Sequence, residues 1–275
     1  PRSLAAVCPV ETNLIYSPFT PFDQAEYTAL NNATDNACWW WAICLLSSAD
    51  AARVQQFTAA PLVMGLVPIT LKDIAWPERR IISISHKLRW PLEIIVRALG
   101  AVPSTDTFTP EEHDIFSMRL YGWTLKLPPN RFIFLLAVSA FSLLLTYGSL
   151  AVMEVYSKRS SLGCPYPIFI LTWNLLAIFP AALETAFPRP DIEEVSQPTP
   201  DSNPSPKFFV GDASPIQGRG KPWFVQLVWA IYYVAGTLCY SSIMAVTVIE
   251  LFVWVMTSVA VTVASKLLAF FLCMA

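Results

Sequence analysis

PWFVQLVWAIYYVAGTLCYSSIMAVTVIELFVWVMTSVAVTVASKLLAFFLCMA, residues 222–275, carries only two charged side chains, Glu250 and Lys266. A single helix needs about 20 apolar residues to cross a hydrocarbon core about 30 Å thick. A stretch this long therefore has room to cross, turn and cross back, and it reads as a hairpin of two transmembrane helices, at about 223–243 and 248–269. Neither Gly nor Pro marks the turn between them.

Immediately upstream the character reverses. Residues 188–222 hold eight prolines separated by acidic, Ser and Gly residues, and such a segment buries too little apolar surface to offset its ordering entropy. A disordered Pro-rich linker over 188–221 is expected. Before it lies the cleanest span, residues 132–153, which is uncharged and about 33 Å long as a helix. Arg131 anchors its start, and Glu154 with Lys158 forms a four-residue pair at its end. A short turn leads to a second span at 164–183, with Pro165, Pro167 and Pro180 and with Trp173-Asn174 near the middle. The two are expected as antiparallel neighbours.

Residues 72–131 are mixed in charge. Following Pro91, Arg89, Glu93 and Arg97 recur at four-residue steps opposite Leu92, Ile95, Val96 and Leu99, which predicts an amphipathic helix suited to the membrane interface. The acidic cluster at Glu111, Glu112 and Asp114 beside His113 reads as a capped helix start rather than as metal ligands. Residues 54–71 are uncharged but include Gln55, Gln56, Pro61 and Pro68; they are expected as a further span, its prolines tolerated through neighbouring helices. Trp39, Trp40 and Trp41 open an apolar run too short to span, which suits a surface helix at headgroup level. Residues 1–36 read as irregular and exposed, with Asn32-Ala33-Thr34 as an N-glycosylation sequon.

The fold class expected is all-α, a polytopic transmembrane helical bundle of about five spans with an interfacial amphipathic helix and a disordered Pro-rich loop. Its regions are 1–53, exposed with a short surface helix; 54–131, first span plus amphipathic cytosolic loop; 132–187, a helical hairpin; 188–221, the linker; and 222–275, the C-terminal hairpin. Composition agrees: 55% of residues are apolar and only 14% charged, against about 25% in soluble proteins. A net charge of -2 spread over several loops offers no basic stripe, so nucleic-acid binding is not expected. Cysteines 8, 38, 44, 164, 239 and 273 show no C-x-x-C spacing, and with two histidines in the chain no metal site is expected. Cys239 and Cys273 read as small buried hydrophobes, while Cys8, Cys38 and Cys44 could pair in an oxidising compartment. The chain opens on Pro1 and not on Met, which leaves room for an upstream segment such as a signal peptide.

Orientation follows from the basic loops. With the N-terminus outside or luminal, residues 72–131 and 188–221 fall inside and bring most of the Lys and Arg with them. The sequon at Asn32 agrees with that sidedness, and the plasma membrane or the secretory pathway is the expected location.

The candidate site residues are the polar groups inside the membrane, because a charge at the bilayer centre costs roughly 2.5–3.5 kcal/mol even on lenient scales. Glu250, Trp254, Ser258, Thr262 and Lys266 share one face of the last helix at four-residue intervals. Glu250 and Lys266 lie about 24 Å apart along it and cannot pair; each is expected to snorkel to its own interface while Ser258 and Thr262 pack on another helix. Asn174, mid-span, is expected to bond across helices. No G-x-S-x-G elbow, H-E-x-x-H, P-loop or prenyl-diphosphate motif is present, so the sequence names no nucleophile or base, and no cofactor is expected.

The runs CLLSSADAARVQQFTAAPLVMGLVPITLKDIAWP (residues 44–77), WPLEIIVRALGAVP (90–103) and YYVAGTLCYSSIMAVTVIELFVWV (232–255) resemble a recurrent group of uncharacterised multi-pass integral membrane proteins of filamentous fungi. The resemblance implies a fungal integral membrane protein and carries over no catalytic residues. The expected role is structural or interactive, with the lipid bilayer, other membrane proteins or a second copy of the chain as partners. A transporter or channel using the polar face is the alternative, and a lipid-modifying membrane enzyme is the second.

Overall fold

The computed structural model describes residues 46–47, 49–71, 81–83, 88–104, 122–124, 126–157, 168–187, 222–243 and 246–275. Asn32, the three consecutive tryptophans, the acidic cluster around His113, the Pro-rich linker and Cys8, Cys38, Cys44 and Cys164 lie outside these residues. In chain order the elements are α1 (Ala51–Ile69), β1 (Ile81–Ser83), α2 (Trp90–Ala98), β2 (Val102–Ser104), α3 (Pro129–Ser157), α4 (Phe169–Leu176), α5 (Ile178–Ala186), α6 (Trp223–Ser241) and α7 (Val248–Met274).

Four helical stretches are long and apolar enough to cross a membrane: Pro129–Glu154, Phe169–Ala186, Trp223–Ser241 and Val248–Met274. The fifth expected span is a shorter apolar helix, Val54–Ile69 within α1. The architecture is thus an all-α helical bundle, with one addition that the sequence reading omits. Strands β1 and β2 pair in parallel, Ile81 opposite Val102 and Ser83 opposite Ser104, with α2 as their crossover. Three residues are too few to show a period of two, so such strands leave no pattern to read.

Local chemistry explains where the helices stop and start. The expected span at 164–183 is present as Phe169–Ala186 and is broken at Ala177 into two helical segments, α4 and α5. Pro180 lacks the N–H that would bond Leu176, and its ring crowds that carbonyl, so the helix breaks one turn ahead of it. At the end of α2, Gly100 takes φ 88°. Its N–H reaches the Arg97 carbonyl (3.0 Å) and that of Ala101 reaches Val96 (3.1 Å), the two bonds of a Schellman cap. Buried Val96 and Ala101 supply its hydrophobic contact. At α7, Thr247 and Glu250 form a capping box: the Thr247 hydroxyl accepts from the Glu250 N–H, while the Glu250 carboxylate accepts from the Thr247 N–H at 2.8 Å.

Neighbouring spans touch within each expected hairpin, but their longer contacts run outside the pair. α6 lies chiefly on α1 and contacts α4 and α5, whereas α7 lies chiefly on α3. Phe132 meets Phe271 at one end of the α3–α7 pair (ring centroids 6.0 Å apart), and Thr257 donates to the Met153 sulfur at the other, so the two run antiparallel. Phe187 meets Phe224 (4.9 Å) where α5 ends and α6 begins. α2 packs on α5 and on the C-terminal end of α7. One end of the bundle therefore gathers the starts of α3 and α6, the finishes of α5 and α7, and α2.

Two close approaches set the spacing around α6. A Cβ on Gly65 of α1 would sit 3.4 Å from Ser241 Cβ and 3.6 Å from Thr237 Cγ2, so small residues on both sides let these helices touch. A Cβ on Gly236 would be driven into the Trp173 indole, 2.8 Å from Nε1 and nearer still to its ring carbons. Trp173 lies flat on that gap. Its Nε1–H donates to the Tyr232 carbonyl at 2.8 Å and its ring stacks on Tyr232, centroids 4.8 Å apart.

The outer surface of the bundle is apolar and its interior holds polar groups. Ile133, Phe134, Phe141, Leu144 and Leu145 of α3 are exposed, Phe141 by 66%, as are Leu227, Ile231, Val234 and Leu238 of α6. Ser139, Asn174, Glu184, Glu250, Ser258, Thr262 and Ser265 are buried. This distribution inverts that of a soluble protein, in which buried charge is rare and large apolar patches are small.

Candidate functional site

α7 carries the polar face read from the sequence. Glu250, Trp254, Ser258 and Thr262 are all buried, and Lys266 is half-buried. They do not act as one surface. Glu250, only 4% exposed, caps its own helix and also accepts from the Thr247 hydroxyl at 2.8 Å. The expectation that it reaches water at the interface is replaced by this local role, because Thr247 three residues ahead offers a cap in place of hydration.

Ser258 and Asn174 are brought together through a third residue. The Tyr240 hydroxyl lies 3.4 Å from Ser258 Oγ and is hydrogen-bonded to the Asn174 side chain. The Asn174 amide also donates to the Ile170 carbonyl of its own helix at 3.0 Å. Ser258 in turn donates to the Trp254 carbonyl at 2.9 Å. A neutral polar contact thus joins α4, α6 and α7 inside the apolar core.

Thr262 and Lys266 belong elsewhere, to a cavity of about 40 Å³. Arg97, Glu184, Trp229, Tyr147, Thr262 and Lys266 line it, together with Gly100–Val102 and Ser265. Thr262 and Ser265 each donate to the carbonyl four residues earlier, at 2.9 and 2.8 Å, and Ser265 is hydrogen-bonded to Tyr147 of α3. The charged wall comes from α2 and α5. Arg97 Nε and Nη2 donate to Glu93 Oε1 at 3.0 and 2.7 Å, and Nη1 donates to Glu184 Oε1 at 2.8 Å. The other oxygen of Glu184 accepts from Trp229 Nε1 of α6 at 2.9 Å.

This network adds a second inward face to α2, whose apolar residue Val96 is buried as expected. Its Glu93–Arg97 stripe, read as the face turned to the interface, turns inward onto Glu184, and Ile95 is left exposed. Glu184 is the reason: at 7% exposure it needs a partner, and an isolated buried carboxylate is far costlier than a paired one. The sequence reading ended its span at Leu183 and did not single out Glu184. Arg97 belongs to a polar stripe on α2, and a partner 87 residues away leaves no local trace.

A second residue missed by that reading is Glu154. Instead of serving only the end of α3, its carboxylate accepts the backbone N–H groups of Ile170 and Leu171, the latter at 2.9 Å, in the first turn of α4. α4 has no side-chain cap of its own, so α3 supplies the anion that a helix N-terminus favours.

Among the described residues no group of three or more His, Cys, Asp and Glu is placed to hold a metal ion. Buried Cys239 and half-buried Cys273 are free thiols. Together the bundle, its apolar exterior and its internal polar contacts define a polytopic helical membrane protein. No protein-family model matches the chain, and no curated protein or solved structure matches it.

Proposed function

We propose that the protein is a structural or interaction component of a cell membrane, of the fungal multi-pass kind that its sequence resembles. The observation that carries this reading is how the intramembrane polar side chains are used. Tyr240 ties Asn174 to Ser258, Glu250 closes a cap, and Glu154 holds the start of α4. These are bonds that fix helices against one another, where a transport path would need groups facing a common passage.

The same reading places the N-terminus and a glycosylated Asn32 outside or in the lumen, in the plasma membrane or the secretory pathway. Support comes from α2 sharing one end of the bundle with the starts of α3 and α6 and the finishes of α5 and α7. Alternating spans require that of two loops on the same side, and these loops are the basic ones.

The test is complementation of a deletion strain by Glu250→Gln, alongside thermal stability in detergent. Full complementation by a normally stable variant is expected. A stable Glu250→Gln protein that fails to complement would establish the transport reading instead.

A further inference from the structure

The two ends of the bundle differ in the charge they expose. Where α3 and α6 start, α5 and α7 finish and α2 packs, Arg89, Lys126 and Arg131 are exposed. At the opposite end, where α3 and α6 finish and α4 and α7 start, the described residues include the carboxylates Glu154 and Glu250 and neither Lys nor Arg. The three cations are also spare. Among the described residues none of them forms an ion pair or a side-chain hydrogen bond, whereas Arg97 of α2 is taken by Glu93 and Glu184. Those two are the acids that the described residues of α2, the start of α3, α5, the start of α6 and the finish of α7 carry. Arg97 holds both, so the charge of Arg89, Lys126 and Arg131 is left for a partner outside the chain.

Tryptophan fixes the depth at which these cations stand. Among the described residues three tryptophans are exposed, Trp90 by 62%, Trp123 by 50% and Trp223 by 75%, while Trp173, Trp229 and Trp254 are buried. All three exposed indoles lie at this end, at the starts of α2 and α6 and just ahead of α3. An indole exposed at the end of a spanning helix settles at headgroup level, its ring against hydrocarbon and its N–H toward water. Each cation is tied closely to that level. The Lys126 N–H bonds the Trp123 carbonyl at 3.2 Å, and the Arg131 N–H bonds the Pro128 carbonyl at 3.0 Å, so tight turns keep both beside Trp123. Arg89 immediately precedes Trp90.

We propose that this end of the bundle binds anionic phospholipid. Lys126 and Arg131 at the foot of α3 and Arg89 ahead of α2 hold headgroup oxygens, and Trp90, Trp123 and Trp223 seat against the acyl chains. A lipid without net charge brings its own ammonium to its phosphate; a lipid with net negative charge needs the protein's cations in its place. A lipid fits better than an acidic protein, because indoles spread over α2, α3 and α6 each need hydrocarbon beside them. The inference rests on the spanning bundle and not on the structural role proposed above.

The experiment uses the full chain in phosphatidylcholine bilayers, with spin-labelled phosphatidylserine and spin-labelled phosphatidylcholine as separate probes, and reads the fraction of each label immobilised at the protein. A preference of about fivefold for phosphatidylserine is expected, the factor that one cation near an anionic surface contributes. It should fall close to parity in about 1 M salt, where screening acts within about 3 Å. The triple variant Arg89→Gln, Lys126→Gln, Arg131→Gln should lose most of the preference while keeping its thermal midpoint in neutral detergent. The charge-keeping set Arg89→Lys, Lys126→Arg, Arg131→Lys should retain it. A parent protein that immobilises both lipids alike would leave the cations to a soluble acidic partner and overturn the proposal. So would a preference that survives high salt, or one that persists in full in a folded triple Gln variant.

Discussion

The Asn174–Tyr240–Ser258 contact and the Arg97–Glu184 wall both bury polar side chains in an apolar bundle, yet they treat space differently. At the first, three neutral groups close on one another and on a stacked indole, with Gly236 removing the last obstacle to contact. At the second, charged groups from α2, α5 and α7 stand around a cavity. Neutral hydrogen bonds between membrane helices are weak, averaging about 0.6 kcal/mol, so they can hold helices only where packing already brings them together. A buried ion stripped of its partner costs far more, and at the second site Arg97 is held by both Glu93 and Glu184.

The largest effect should come from breaking the charged wall on one side. Glu184→Leu leaves the Arg97 guanidinium without its α5 partner and the Trp229 N–H without an acceptor, and should cost about 3 kcal/mol. Adding Arg97→Leu should restore most of that, because two apolar residues replace a buried pair with little penalty. Thermal unfolding of the single and double variants in detergent checks both statements; a double variant no better than the single one would mean that the pair does more than satisfy itself.

Gly236→Ala attacks the neutral contact and comes next. Its methyl group has to displace the Trp173 ring, which is stacked on Tyr232 and bonded to a carbonyl, so a loss of about 1–3 kcal/mol is expected. A shift in tryptophan fluorescence should accompany it. An unchanged midpoint would show that the α4–α6 approach is looser than described.

Asn174→Leu sharpens the comparison by removing a hydrogen bond with little change of volume. A loss of about 0.6 kcal/mol is expected, far below that of Glu184→Leu. Glu250→Gln is the smallest of the set. A capping box accepts Glu or Gln at its third position, so the thermal midpoint should barely move. A large drop would mean that the carboxylate charge itself holds α7 in place.

These contrasts also mark where the sequence can be read. The uncharged runs around Phe141 and Val261 announce spanning helices because hydropathy is a local property summed over twenty residues. The four-residue face of α7 was visible for the same reason. The cap at Thr247 is legible too, since T-x-x-E before an apolar run is a capping-box signature that needs neither Gly nor Pro. Glu184, Arg97 and Tyr240 were not. Each owes its role to a partner on another helix, and a single sequence carries no signal of which helices touch. For that reason α6 and α7 read as a hairpin, while their long contacts run to α1 and α3.

The claim beneath all of this is that the apolar side of each helix faces lipid and the polar side faces the bundle. Spin labels placed one at a time along α3 measure that directly, by collision with oxygen, which concentrates in hydrocarbon, and with a water-soluble nickel chelate. Oxygen accessibility should rise at Phe134, Phe141 and Leu145 and fall at Ser139, Leu143 and Leu150, with nickel excluded throughout the scan. Strong nickel collisions at Phe141 would place that face in water and contradict the account.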